Sequence, residues 1–290
     1  MEKLTDKEGH NELYKGAVSH LITCDSKEKY RERFRKTGLS PFCKGGGTKS
    51  YVRGLTVESI FKAIDRKNIG PDQVTILDAR CEMRDARCGV RGAECGQGEL
   101  SVWLSANGFH VIGVDISEEA CISARKLAES IGIDSNCRFL DESLESLPLD
   151  DKSIDFIIGH AALHHFIKYK GVATELGRVL KNEGEMFFAD SFGENKIYHI
   201  FHNKEQMYRL GDVILTRKLI HNFFHEFEIN ITPTDWFVML DKLLLKIVPE
   251  KGKPLIRALS VVWWHMDRFI PVNSVTLYLS GAVITHVSKY

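Results

Sequence analysis

A glycine-rich run and the acid that follows it are the first residues in this sequence that could do chemistry. In the run CGQGELS, Gly96 and Gly98 leave room for backbone amides to approach a ligand closely. The later run VIGVDIS contains Asp115, whose carboxylate can accept hydrogen bonds from two neighbouring hydroxyls, such as those of a ribose. This order of glycine loop and acid is typical of a nucleotide-type cofactor held at the edge of a parallel sheet.

Three histidines form a second candidate group. The run GHAALHHF follows an apolar segment and contains His160, His164 and His165. Imidazole titrates near neutral pH, so His164 or His165 could act as a general base toward a phenol or a carboxylic acid. The alternative is that neither histidine has a base role.

The cysteines do not indicate a metal site. Cys81, Cys88 and Cys95 are evenly spaced, but the sequence contains no Cys-x-x-Cys pair, which four-ligand zinc sites usually have. Seven cysteines in a long chain argue against a secreted disulfide framework and for a reducing compartment. We therefore predict no metal and a cytoplasmic protein.

Alternating strands and helices would position these groups. The first five predicted strands lie at residues 74–79, 110–115, 137–140, 154–159 and 186–189. Apolar stripes at helical spacing separate them, and Ser117 is the predicted N-cap of the helix after the second strand. With two further strands near 227–232 and 275–288, we expect an open, doubly wound, mostly parallel seven-stranded α/β sheet.

Helical segments are predicted on both sides of this sheet. Residues 1–70 are expected to form an N-terminal helical cap or lid, and residues 71–290 the main domain. Within the main domain, helices in 192–226 and 236–271 are expected to cover the substrate side.

Two helices and a connection are predicted within the first 70 residues. Asp25 is the candidate cap of a helix through Tyr30 and Phe34. Residues 41–50, which include three consecutive glycines, are predicted to be a flexible connection. A helix over residues 56–67 is expected to follow.

Composition limits the classes of partner. The 290-residue chain has a formal net charge of zero, so no whole-molecule field attracts nucleic acid. No apolar run reaches the roughly 18 residues of a transmembrane helix, so no integral membrane segment is predicted. The helical tail indicates an enclosed pocket, which favours a small-molecule substrate over nucleic acid. The oligomeric state is left open.

Several motifs, in order, resemble the class I S-adenosylmethionine-dependent methyltransferases. ILDA and CGQGELSVWLSANG are similar to the family's first strand and glycine loop, and VIGVDIS to its second strand and ribose-binding acid. SLESLPLDDKSIDFIIG and ELGRVLKNEGEMFFADS are similar to its third loop, fourth strand and the helix and strand after them. The resemblance implies a Rossmann-like methyltransferase fold, S-adenosylmethionine as cofactor, and methyl transfer to a small molecule, with oxygen favoured. A nicotinamide enzyme is the main alternative, but it would need a tighter G-x-G-x-x-G loop.

The resemblance also implies which residues bind the cofactor. They lie at strand ends and in the loops that follow: Asp78, Cys95, Gly96, Gly98, Asp115, Ile116, Ser143, Leu144 and His160. Ile116 would pack on the adenine, and adenine recognition is expected to rest on the Ser143–Leu144 backbone because Ser143 stands where the family often has an acid. Asp141 and Glu142 are nearby substitutes for that acid. His164 and His165 are the catalytic candidates. Ala161 stands where an acid would help to bind a metal, so no metal is implied.

An insertion interrupts the resemblance after Asp78. The tetrapeptide Asp-Ala-Arg-Cys occurs twice there, and removal of Arg80 through Ala93 leaves ILDA-ECGQGELS, close to the family pattern. An outward loop is compatible with binding, because closure entropy grows only slowly with loop length. Two other outcomes are open: the acid's role passes to Asp85 or Glu94, or the loop blocks the cofactor and leaves a catalytically silent relative.

Overall fold

The fold was analysed in a computed structural model. It describes residues 26–37, 48–79, 98–194, 213–234, 247–252 and 282–290, and isolated positions between 244 and 280. The helices of four or more residues are α1 Lys27–Thr37, α2 Thr48–Lys67, α3 Glu99–Ala106, α4 Glu118–Ser130, α5 Leu163–Phe166, α6 Lys170–Val179 and α7 Arg217–Phe223. The strands are β1 Thr75–Ala79, β2 His110–Val114, β3 Cys137–Leu140, β4 Ile154–His160, β5 Leu180–Ser191, β6 Glu228–Thr234 and β7 Ala282–Ser288.

The seven strands form one sheet in the order β3-β2-β1-β4-β5-β7-β6. Strands β1 to β5 pair in parallel, and β7 runs antiparallel between β5 and β6. The strand order reverses between β1 and β4, and in sheets of this kind the crevice outside the carboxyl ends at such a point is where ligands bind. The prediction of a doubly wound, mostly parallel seven-stranded sheet is confirmed.

Two hydrophobic layers cover the sheet. One contains the buried faces of α1 to α4, and the other contains those of α5, α6 and α7. The central strands β1 and β4 are buried almost throughout, as expected for parallel strands with helices on both faces. Strand β5 is longer than the predicted 186–189, because Leu180 already pairs with Ile154 before a register shift.

The N-terminal region differs from the prediction in two details. Helix α1 is capped by Ser26, whose Oγ accepts a hydrogen bond of 3.3 Å from the backbone N–H of Lys29; the predicted cap, Asp25, lies outside the described residues. Helix α2 begins at Thr48, so the last residues of the predicted flexible connection are helical. Helix α2 packs on β4, β5 and β7 and buries Ile60 completely. The boundary at residue 70 stays a prediction.

The tail before β7 contains helical positions with an unexpected environment. Five apolar residues within the predicted cover over 236–271 are between 38% and 86% exposed: Leu255, Leu259, Val262, Met266 and Phe269. Ile256, by contrast, is buried. The predicted substrate-side cover over 192–226 and 236–271 lies largely outside the described residues and stays a prediction. In the described part of the chain, no helix is long and apolar enough to cross a membrane.

Candidate functional site

The predicted acids lie at the carboxyl ends of adjacent strands. Asp78, near the end of β1, pairs in register with Gly113 of β2, and Asp115 follows β2 directly. The two residues are only 2% and 3% exposed, respectively. Asp115 Oδ1 accepts a hydrogen bond of 2.9 Å from the backbone N–H of Ser117, and Ser117 caps α4 through Ala120. The cap prediction is therefore confirmed, and it fixes the chain immediately after the acid.

A cavity of about 160 Å³ opens beside Asp115. Ile116 lines it next to Asp115, and Ser143 and Leu144 line it from the loop after β3. His165 lines it from α5. Four residues predicted to bind the cofactor and one catalytic candidate thus surround a single space, although up to 50 residues separate them in sequence. Apolar side chains, including those of Phe166, Tyr169 and Val172, complete the walls together with Glu142 and Glu145.

Two charged residues on α6 support the loop that forms one wall of this cavity. Arg178 donates hydrogen bonds to the backbone oxygens of Leu147, at 3.0 Å, and Leu149, at 2.8 Å. Glu175 accepts a bond of 2.6 Å from the backbone N–H of Leu147. The hydrogen bond from Arg178 is the main reason that the pKa of Glu175 is lowered, and the backbone bond from Leu147 adds to it. The sequence analysis assigned no role to this pair.

Gly98 is required by packing as well as by the expected approach of a ligand. Its φ of 71° lies in the left-handed region, and it precedes α3 directly. A Cβ atom at this position would lie 2.6 Å from Cβ of Ala124 and 2.9 Å from Cε1 of Phe139. Helix α4 and strand β3 therefore approach the backbone so closely that only glycine fits.

Helix α3 also anchors Asp78, whose Oδ2 accepts a hydrogen bond from Ser101 Oγ. Burial, together with the negative charge of Asp78, raises the pKa of Cys137, so this thiol is a poor nucleophile. The remaining loop residues proposed for the cofactor, Cys95 and Gly96, lie outside the described residues, as do Asp85 and Glu94. The structure thus describes the residues on both sides of the insertion, up to Ala79 and from Gly98 onward.

The three histidines have separate environments. His160 ends β4 and is 4% exposed; it does not line the cavity beside Asp115. His164 Nδ1 forms a hydrogen bond with Oδ1 of Asp190. His165 faces the cavity, and its ring centroid lies 4.0 Å from that of His164. The two catalytic candidates are therefore not equivalent.

Asp190 is the functional candidate that the sequence analysis missed. It lies near the end of β5 and is 3% exposed. Its Oδ2 accepts hydrogen bonds from the backbone N–H groups of Ala162, at 3.3 Å, and Leu163, at 3.0 Å. The sequence signals were an acid at the end of the apolar run MFFAD and its place in the family-like motif ELGRVLKNEGEMFFADS. Among the described residues, no group of three or more His, Cys, Asp or Glu side chains could hold a metal ion.

Comparison with known proteins shows which family part of this chain is similar to. Residues 93–188 match the model of a family described as "Methyltransferase domain". A protein named "Uncharacterized methyltransferase YcgJ" from Bacillus subtilis (strain 168) is 37% identical to this chain over 81 residues. That alignment covers 28% of this chain and 32% of the relative, which is about a third of the relative's length.

Solved structures share the fold at low identity. The phosphoethanolamine N-methyltransferase 2 of Haemonchus contortus, in complex with S-adenosyl-L-methionine, is 12% identical and has a TM-score of 0.56. That match covers 99% of this chain and 60% of the other. The [4+2]-cyclase SpnF is 13% identical with a TM-score of 0.53, over 93% of this chain and 98% of the other.

The family match spans Asp115, Ser143 and His165 and most of β5. The buried acid beside an apolar cavity also fits a ribose joined to an aromatic base. The prediction of S-adenosylmethionine as the cofactor is confirmed at the level of the family. Over residues 93–188 the chain is therefore similar to a methyltransferase domain, in agreement with the resemblance to the class I S-adenosylmethionine-dependent methyltransferases.

Proposed function

We propose that this chain transfers a methyl group from S-adenosylmethionine to a small-molecule acceptor, at oxygen. The observation that carries the proposal is the cavity in which Asp115 and Ile116 face Ser143 and Leu144. A carboxylate can accept bonds from both hydroxyls of a ribose, and apolar side chains can hold an adenine between them. When bound, the cofactor supplies an electrophilic methyl group on its sulfonium centre.

The size of the cavity indicates which part of the cofactor it holds. Its volume of about 160 Å³ is below the roughly 300–1,000 Å³ of pockets that enclose a complete drug-sized ligand. We therefore assign it to the adenosine end. Asp78 and Gly98, at the neighbouring carboxyl end of β1 and the start of α3, are then available to the methionine end.

One feature supports methylation at oxygen, and another supports a small-molecule acceptor. Two imidazoles lie beside the cavity, and a hydroxyl acceptor benefits from a base that removes its proton. One structural neighbour is named for phosphoethanolamine, a small molecule, although its name specifies methylation at nitrogen. Acceptor amines therefore belong in the same screen as phenols and carboxylic acids.

A catalytically silent binding protein is the second candidate. The insertion between Arg80 and Ala93 favours it, because it stands directly after β1, next to the proposed methionine end. The neighbour named a cyclase also has this fold, so the fold alone does not specify methyl transfer. Against this candidate, the residues flanking the insertion retain close contacts: Asp78 with Ser101, and Gly98 with Ala124.

Calorimetric titration with S-adenosylmethionine tests the proposal. We expect the full chain to bind and Asp115→Asn to weaken binding by about 10- to 100-fold, the loss expected for hydrogen bonds to a charged group. Asp134→Asn is the matched control, because Asp134 is exposed and lies away from the cavity. Equal affinities of the full chain and Asp115→Asn would contradict the assignment of the cavity.

A deletion of residues 80–93 separates the two candidate functions. If only the deletion variant binds the cofactor, the natural chain is the silent relative and the proposed activity is wrong. If both bind, a screen of hydroxyl and amine acceptors with a labelled methyl donor identifies the class of acceptor. Labelled amines without labelled hydroxyl products would overturn the choice of oxygen while leaving methyl transfer intact.

A further inference from the structure

We propose that Asp190 is a positioning residue that fixes the tautomer of His164 and thereby makes Nε2 of His164 the proton acceptor. The inference rests on the proposed methyl transfer to oxygen and extends it. It assigns different roles to the two adjacent histidines, which the sequence left equivalent. It also gives a role to a buried acid that lies 26 residues away from its partner in sequence.

The hydrogen bonds of Asp190 determine where the proton of His164 lies. Oδ2 accepts from the backbone N–H groups of Ala162 and Leu163, and Oδ1 contacts Nδ1 of His164. A carboxylate only accepts hydrogen bonds, so Nδ1 must carry the hydrogen in this contact. A neutral imidazole with hydrogen on Nδ1 has its lone pair on Nε2. The arrangement therefore leaves Nε2 as the basic atom.

Hydrogen bonds hold the backbone around His164 on two sides. Ala161 has a φ of 52°, and its N–H donates to the backbone oxygen of Ala189 at 2.8 Å. The backbone oxygen of His164 accepts a bond of 3.0 Å from Val213. A non-glycine residue with positive φ persists when the surrounding structure fixes it. Strand β5 thus supports the turn after β4 through this backbone hydrogen bond.

The position of His165 argues against a base role for that residue. It lines the cavity assigned to adenosine together with Phe166 and Tyr169. His164 instead contacts the buried carboxylate, and its side chain remains 20% exposed. A carboxylate beside Nδ1 stabilises the imidazolium that forms when Nε2 accepts a proton. His164 is therefore the better placed of the two for proton transfer.

The proton and the electron pairs balance in the proposed step. As the acceptor oxygen forms its bond to the methyl carbon, the carbon–sulfur bond breaks and its electron pair stays on sulfur. The hydroxyl proton of the acceptor moves to Nε2 of His164, and the resulting positive charge faces Asp190. The imidazolium then returns its proton to water. No oxidant, reductant or further reactant is required.

Nitrogen-15 NMR of the histidine side chains tests the tautomer without any cofactor. We expect His164 in the full chain to carry its hydrogen on Nδ1, with His164→Gln used to assign the signal. Asp190→Asn can present an amide N–H to Nδ1, so we expect the hydrogen to move to Nε2 in that variant. A wild-type His164 with hydrogen on Nε2 would overturn the inference, whether or not the protein methylates anything.

Single-turnover methylation over a range of pH tests the base role. We expect His164→Gln and Asp190→Asn to lower the rate by about 10²- to 10⁴-fold and to remove the rise in rate as a histidine deprotonates. His165→Gln is expected to weaken cofactor binding but to keep that rise. If Asp190 serves only the fold, its variant will lose the same fraction of rate at every pH and keep the wild-type profile. That result would reject the positioning role while leaving methyl transfer established.

Discussion

Replacement of Gly98 by alanine is the sharpest test of how the fold positions the candidate site. Alanine at a φ of 71° loses about 1–2 kcal/mol, because Cβ approaches the following carbonyl oxygen in the left-handed region. The new Cβ would also lie 2.6 Å from Ala124 Cβ and 2.9 Å from Phe139 Cε1. Overpacking of this kind costs about 1–3 kcal/mol. We expect Gly98→Ala to lower the free energy of unfolding by about 2–5 kcal/mol.

Gly132 provides a matched control for the backbone contribution. Its φ is 70°, nearly the same as that of Gly98, but a Cβ at Gly132 would meet nothing within 4 Å. Gly132→Ala should therefore lose only the backbone contribution of about 1–2 kcal/mol. Urea unfolding of both variants, followed by circular dichroism, measures the difference. Equal loss of stability in the two variants would refute the close approach of α4 and β3 to Gly98.

A double-mutant cycle isolates the contact with α4. Ala124→Gly removes the nearest neighbouring atom and by itself costs about 1 kcal/mol, because glycine weakens a helix interior. Combined with Gly98→Ala, it should cost less than the sum of the two single changes, since the clash has been removed. Phe139 remains close, so the relief is expected to be partial. Strict additivity would show that the two residues do not contact each other.

Three further predictions concern supporting contacts. Glu185 has a pKa lowered to about 2 because hydrogen bonds from His286 and Arg66 outweigh the opposing effect of burial. Ionised Glu185 therefore contributes up to about 3 kcal/mol to the free energy of unfolding above pH 4.5, and this contribution is lost as the pH falls toward 2. In urea unfolding, the stability of Glu185→Gln should depend less on pH in this window than the stability of the wild type. Arg178→Met should raise the Kd for S-adenosylmethionine several-fold in calorimetry, because it releases the loop at Leu147. Lys181→Met, which breaks a distant ion pair with Asp155, should leave the Kd unchanged. Equal effects of the two variants would contradict the role of the loop. Tyr30→Phe should cost about 1 kcal/mol in urea unfolding because it removes the buried bond of 3.0 Å to the backbone oxygen of Glu99, and an unchanged stability would show that α1 does not anchor α3 through this bond.

Local signals in the sequence were sufficient to predict the strands of the sheet and about half of the residues of the candidate site. The apolar run before Asp115 predicted β2, and Ser117 predicted the start of α4. These signals succeed because burial, strand propensity and helix capping act over a few residues. Helical periodicity did not indicate that Leu255 and Leu259 are exposed. Periodicity shows that residues share a helix face, but it does not show what that face contacts.

Contacts between distant segments were beyond the reach of the sequence. Asp190 lies at one strand end and His164 follows another, and only the parallel pairing of β4 with β5 brings them together. Arg178 reaches the loop at Leu147 and Leu149 for a similar reason, because α6 packs beside that loop. The quoted motifs contain Arg178 and Asp190, but a motif does not show which residues these side chains contact. Tertiary packing therefore decided which residues support the site.

The sequence by itself determined the order of the strands and helices along the chain, the resemblance to the methyltransferase family, and the acid at the end of β2. Each of these depends on residue types within a short window, where local physical preferences are strong. The tertiary structure decided that Asp115, Ser143 and His165 surround one cavity and that His164 and His165 differ. It also decided why Gly98 must be glycine, because that requirement comes from Ala124 and Phe139. The physical reason is that parallel pairing aligns strand ends regardless of their separation along the chain.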